Sequence, residues 1–171
     1  GAAKIQTYID RVKELAQPAA AITDHGNLYG ALEFYNIAKK NGVKPIIGYE
    51  AYITTESRFD RPDRDKNKRF HLTLLAENNE GYWNLVSLAS KAFTDGYYYK
   101  PRLDYQLLRE HSKGLIALSG CLGGEIAQHL APDGSVEEGN NQSERSYQKA
   151  LDKAVLYKNI FGEENFYIEL H

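Results

Sequence analysis

Four side chains in this sequence have the chemistry to bind a transition metal. His25 stands in the turn group Asp24-His25-Gly26-Asn27, and Glu50 lies inside an apolar run. His71 opens another apolar run, and Cys121 sits in the Gly-rich string 119–124. Imidazole, carboxylate and thiol are the side chains that ligate zinc, manganese and iron. Their spacing is long and irregular, with no CxxC or HExxH, so the pattern is weak as a motif. Each residue also has an ordinary explanation. Asp24 followed by Gly26 makes an Asx-type turn, in which His25 need only bond a neighbouring carbonyl. A free cysteine is more often an inert small hydrophobe than a ligand. Glu50 is the hardest to dismiss, because a buried carboxylate without a partner is costly or titrates to neutral. His111 and His129 read as helix-surface residues with no role.

The elements that must position these groups follow from periodicity. Apolar residues recur at helical spacing over 5–15, 28–38, 82–89, 104–110, 125–130 and 143–161, the last with Ser143 as N-cap. Pro18 and the pair Asn41-Gly42 close the first two helices. Strand-like runs cover 19–23, 44–54, 71–76, 114–119 and 166–170. Strands separated by helices imply βαβ units and an α/β fold with a mainly parallel sheet. Periodicity leaves an open doubly wound sheet and part of a barrel equally open. In both, ligands gather at the C-terminal ends of the strands, where His25, Glu50 and Cys121 fall. His71 falls at the start of its strand, the wrong end of a parallel sheet, unless that strand begins earlier, near Lys68.

The 171 residues suffice for one domain, read here as 1–171, and a net charge of −2 gives no global basic field toward nucleic acid. One cysteine excludes an internal disulfide and fits a reducing cytoplasm. No apolar run is long enough to span a membrane. The chain opens on Gly1 and contains no methionine, which suggests a piece cut from a longer protein. Residues 56–70 carry Arg58, Arg61, Arg64, Lys66, Lys68 and Arg69 against Glu56, Asp60, Asp63 and Asp65 and read as a solvated surface loop. Residues 132–142 read as a polar loop. The Gly-rich turn 120–124 could hold a phosphate on backbone amides, though a tight turn is the simpler reading. Tyr97, Tyr98 and Tyr99 followed by Lys100-Pro101-Arg102 suit base stacking plus phosphate contact, with Arg102 the candidate phosphate ligand. Packed tyrosines and an Arg102 ion pair explain the same string equally well.

Taken together, five strings resemble a known family. Residues 23–31 read TDHGNLYGA, 44–52 KPIIGYEAY, 71–76 HLTLLA, 96–102 GYYYKPR and 118–124 LSGCLGG. In this order they resemble the PHP domain of bacterial DNA polymerase III alpha subunits, along nearly the whole chain. The resemblance implies a distorted TIM-like barrel of mainly parallel strands, here incomplete, with a site for up to three divalent ions, zinc or manganese. It places His25, Glu50, His71 and Cys121 on metal-ligand positions and Asp24 behind His25 as the group that orients it. Family members also carry a His-x-His motif ahead of the segment that begins here and an Asp-x-His pair beyond His171, so about half of the metal shell falls within the chain. The resemblance implies a metal-dependent phosphoesterase, acting as a 3′-to-5′ proofreading exonuclease, within a DNA-directed DNA polymerase whose own catalytic aspartates lie elsewhere. Implied partners are primer-template DNA through the parent protein, its polymerase domains, and the proofreading and sliding-clamp subunits, with no membrane. Some relatives keep the domain only as a silent brace, which is the alternative role. A free-standing phosphatase of the histidinol-phosphate type is disfavoured by the 57–69 and 97–102 segments.

Overall fold

The alternation of apolar residues sorts the strands into one sheet with a buried face and a freer one. The computed structural model describes residues 3–63, 68–131 and 141–170. Helix α1 (Ile5–Glu14) leads to strand β1 (Ala19–His25), then α2 (Ala31–Lys40) and β2 (Lys44–Ile53). Next come β3 (Phe70–Ala76), α3 (Asn79–Thr94), β4 (Arg102–Leu103), α4 (Tyr105–Glu110) and β5 (Leu115–Leu118). Helices α5 (Glu125–Leu130) and α6 (Asn141–Phe161) precede β6 (Phe166–Tyr167). The α/β architecture matches the expectation, and the sheet, in the order β1-β2-β3-β5-β6 with β4 beside the end of β2, stays open. The polar loop 132–142 lies outside the described residues as far as position 140, as do Arg64, Asp65, Lys66, His171 and the side chain of Ser143.

One strand departs from the parallel expectation. β3 runs antiparallel to both β2 and β5, whereas β1, β4 and β6 pair in parallel. The reason is the connection. A parallel neighbour needs a crossover, commonly a helix, but the described residues between 54 and 69 contain none, and the chain returns beside β2 in the opposite direction.

Successive strand residues point to opposite faces. Tyr49, Ala51, Ile53, Leu72, Leu74, Leu115 and Ala117 bury one face against Leu85, Leu88 and Ala92 of α3. Their alternates, including Thr23, Thr73, Ile116 and Leu118, line the other face and are only partly buried. Helix α3 starts where Asn78 accepts a hydrogen bond from the Gly81 N–H, satisfying an otherwise orphaned donor. Among the described residues no helix is long and apolar enough to cross a membrane.

The loop over 56–70 is not uniformly solvated. Arg58 is buried, and its Nη1 lies 3.1 Å from both carboxylate oxygens of Asp104. The same carboxylate accepts from the Arg58 N–H and, as the N-cap of α4, from the Leu107 N–H. A pattern of balanced charges could not reveal this, because the partner lies 46 residues away. Asp104→Asn keeps a cap acceptor but removes the charge facing a buried guanidinium. It is expected to cost about 2 kcal/mol, the scale of a hydrogen bond to a charged group, measured by denaturant unfolding.

Candidate metal centre

The sheet register brings the candidate ligands to one edge of the freer face. His25 pairs with Glu50 across β1 and β2, and Tyr52 pairs with His71 across β2 and β3. Because β3 is antiparallel, its first residues lie beside the C-terminal ends of its neighbours. The position that seemed wrong for His71 is therefore the right one.

Glu50 is the centre of the group. Its Oε1 lies 2.8 Å from Nδ1 of His71 and 3.0 Å from Nδ1 of His25. Cys121 approaches from β5, with Sγ 3.5 Å from Nδ1 of His71. One donor atom each from Glu50, His71 and Cys121 lie within 4.8 Å of one another. The His25 side chain is 62 % exposed against 18 % for Glu50, so it borders this trio from the solvent side.

Two glycines make the approach possible. Gly26 has φ +69°, and a Cβ there would fall 2.9 Å from Pro101 and 3.0 Å from Tyr52. Gly120 has φ +81°, and its Cβ would fall 2.8 Å from the carbonyl oxygen of His71. Both combine left-handed backbone with a close neighbour, conditions only glycine meets without strain. The Cys121 loop is tied to β3 by the His71 N–H, which donates to the Gly123 carbonyl at 2.9 Å. Within it the Gly123 N–H donates to Cys121 Sγ and the Gly124 N–H to the Cys121 carbonyl. These bonds fold the loop into a tight turn that presents the Cys121 thiol.

The PHP domain profile matches residues 1–171. The chain belongs to the PHP domain family. DNA polymerase III subunit alpha of Thermus aquaticus is 59 % identical over 138 residues, 78 % of this chain and 11 % of that protein. The subunit from Helicobacter pylori strain J99 is 45 % identical over 170 residues, 99 % of this chain and 14 % of that protein. This PHP domain thus spans only a small fraction of the length of the relatives it matches. A Bifidobacterium adolescentis structure assigned as a metal-dependent phosphoesterase is 11 % identical, with a TM-score of 0.46 over 87 % of this chain and 70 % of that one, too loose a likeness to argue from.

Two expected site residues of the PHP domain have hydrogen-bond partners of their own within the protein. Asp24 and His25 are adjacent strand residues and point to opposite faces of the sheet. The Asp24 Oδ2 accepts from the Gly30 N–H at 2.9 Å, fixing the loop that follows His25. Arg102, the candidate phosphate ligand, faces the interior. It is fully buried, its Nε donates to the Gly96 carbonyl, and its Nη2 donates to the carbonyls of Arg58 and Asp60.

Sequence reasoning missed the hub behind the Cys121 loop. Glu125, directly after Gly124, has a fully buried carboxylate. It accepts from the hydroxyls of Tyr105 at 2.6 and 2.7 Å and Tyr157 at 2.8 Å, and pairs with Lys153 at 2.7 Å. Burial first, and then the Glu125 carboxylate, push both tyrosine hydroxyls far above their ordinary range, so they stay protonated and donate. α4, α5 and α6 are thereby tied together at the base of the loop that carries Cys121.

Proposed function

We propose that this PHP domain is part of a bacterial, cytoplasmic DNA polymerase III alpha subunit and is itself a metal-dependent phosphoesterase of the 3′-to-5′ exonuclease type. The observation that carries the reading is the convergence of Glu50, His71 and Cys121 on a common volume at one edge of the sheet. Their oxygen, nitrogen and sulfur donors suit zinc, and Glu50 with the imidazoles of His71 and His25 also suits manganese. A divalent ion held there supplies Lewis acidity toward a phosphate oxygen. Glu50 fixes the mutual positions of His71 and His25 through one carboxylate oxygen, and the Gly123 carbonyl holds the backbone of His71. Template-directed synthesis, the primer-template and the contacts with other subunits belong on this reading to the longer protein of which its relatives are examples.

The test is metal content by mass spectrometry after equilibration with zinc or manganese and removal of free ion, followed by nucleotide release from a 3′-labelled single strand. At least one ion per chain, with release that chelator abolishes, is the expected result. A chain that retains no metal would leave a silent brace for the polymerase as the role of the domain.

A further inference from the structure

The string that suggested nucleic-acid contact loses Arg102 to the interior but keeps two residues at the edge of the metal centre. We propose that Tyr99 and Lys100 form a subsite that selects an extended polynucleotide strand over a small phosphoester, Lys100 taking a backbone phosphate and Tyr99 stacking on a base. What happens at the centre itself rests on the phosphoesterase reading; the binding does not.

Position comes first. Lys100 Nζ lies 5.3 Å above the ring of Tyr52, and that ring meets His71 edge-on at 5.4 Å. Pro101 packs against Gly26, next to His25. The loop 97–101 therefore forms a wall on the His25 and His71 side of the centre. Charge comes second. Lys100 is exposed and has no carboxylate partner among the described residues, so its ammonium remains available to a phosphate. Shape comes third. Tyr99 adopts φ +60°, uncommon for a residue with a Cβ, and is 56 % exposed, with one part of its ring set edge-to-face against Tyr98 at 4.7 Å. The flanking backbone holds it there, since the Tyr98 N–H donates to the Lys100 carbonyl across it. Beneath, Tyr98 donates to the Pro62 carbonyl and Arg102 to Gly96, Arg58 and Asp60, so the wall is rigid before any strand arrives. An exposed ring beside an unpaired cation is the combination that grips single strands without regard to sequence.

The test is fluorescence anisotropy of the chain with a 5′-fluorescein dodecathymidylate in EDTA, where the result does not depend on metal. Tyr99→Asn, which tolerates left-handed backbone, is expected to weaken binding about 10-fold, the scale of one lost stacked base. Lys100→Ala is expected to weaken it similarly and to lower the slope of log affinity against log salt by about 0.7, one phosphate contact on a single strand. Inorganic phosphate and bis(p-nitrophenyl) phosphate should compete as well with Tyr99→Asn as with wild type. Wild-type strand affinities and salt slopes in both variants would overturn the proposal, as would a wild type that does not bind the strand. Equal losses for strand and small phosphate would also overturn it, by showing a simple anion site. Strand binding of the expected kind in a chain that loads no metal would sink the phosphoesterase reading and leave the subsite standing.

Discussion

Lys153→Met is expected to destabilise the chain by about 3 kcal/mol, the lower end of the range for breaking a buried ion pair. The lower end applies because the Lys153 side chain keeps 24 % exposure, whereas the Glu125 carboxylate has none. Methionine preserves much of the stem that lies against the Tyr105 ring, so the loss reports the charge rather than a cavity. For a chain of this length the unfolding midpoint should fall roughly 10 °C. Adding Glu125→Gln should restore part of the loss. A Lys153→Met midpoint within a degree or two of wild type would show that Tyr105 and Tyr157 alone satisfy Glu125.

That hub illustrates what the sequence could not say. A glutamate opening a short helix is ordinarily a solvated residue favouring the helix dipole, and nothing near Glu125 announces Lys153 or Tyr157, about thirty residues on. Arg58 was illegible for a related reason. In a string where acids and bases balance, the default is a wet loop, yet Asp104 draws its guanidinium inside. Strand β4 was missed because two residues carry no period. The direction of β3, by contrast, was available. The segment between β2 and β3 is charged, holds Pro62 and has no apolar period in the sequence, and a strand reached without a crossover runs antiparallel to its neighbour. That direction puts His71 beside Glu50 from alternation and polarity alone. Residue type and strand-end position were enough to bring His25, Glu50 and Cys121 to one edge. They did not give Asp24 its bond to Gly30, which depends on the loop that follows β1.

Glu50→Gln tests the centre most directly. Glutamine has nearly the same shape, and the Glu50 side chain is 18 % exposed on the freer face of β2 rather than locked in the core. The fold should therefore tolerate the change, with an unfolding midpoint close to that of wild type. The site should not. Glu50 contributes the one anionic oxygen that faces both His25 and His71, and the amide offers either a neutral carbonyl or an N–H₂ donor in its place. Removing groups that merely orient metal ligands costs 10- to 100-fold in affinity, so removing the central carboxylate should cost about 100-fold or more. Competition with a chromophoric chelator measures it for zinc and manganese separately. Thr73→Val is the control, because Thr73 is the cross-strand neighbour of Glu50 and offers no anionic ligand. It should change the midpoint as much as Glu50→Gln and leave the affinity alone. If Glu50→Gln bound metal as tightly as wild type, the carboxylate would be a hydrogen-bond acceptor for two histidines and no more, and the centre would have to be rebuilt on Cys121 and His71.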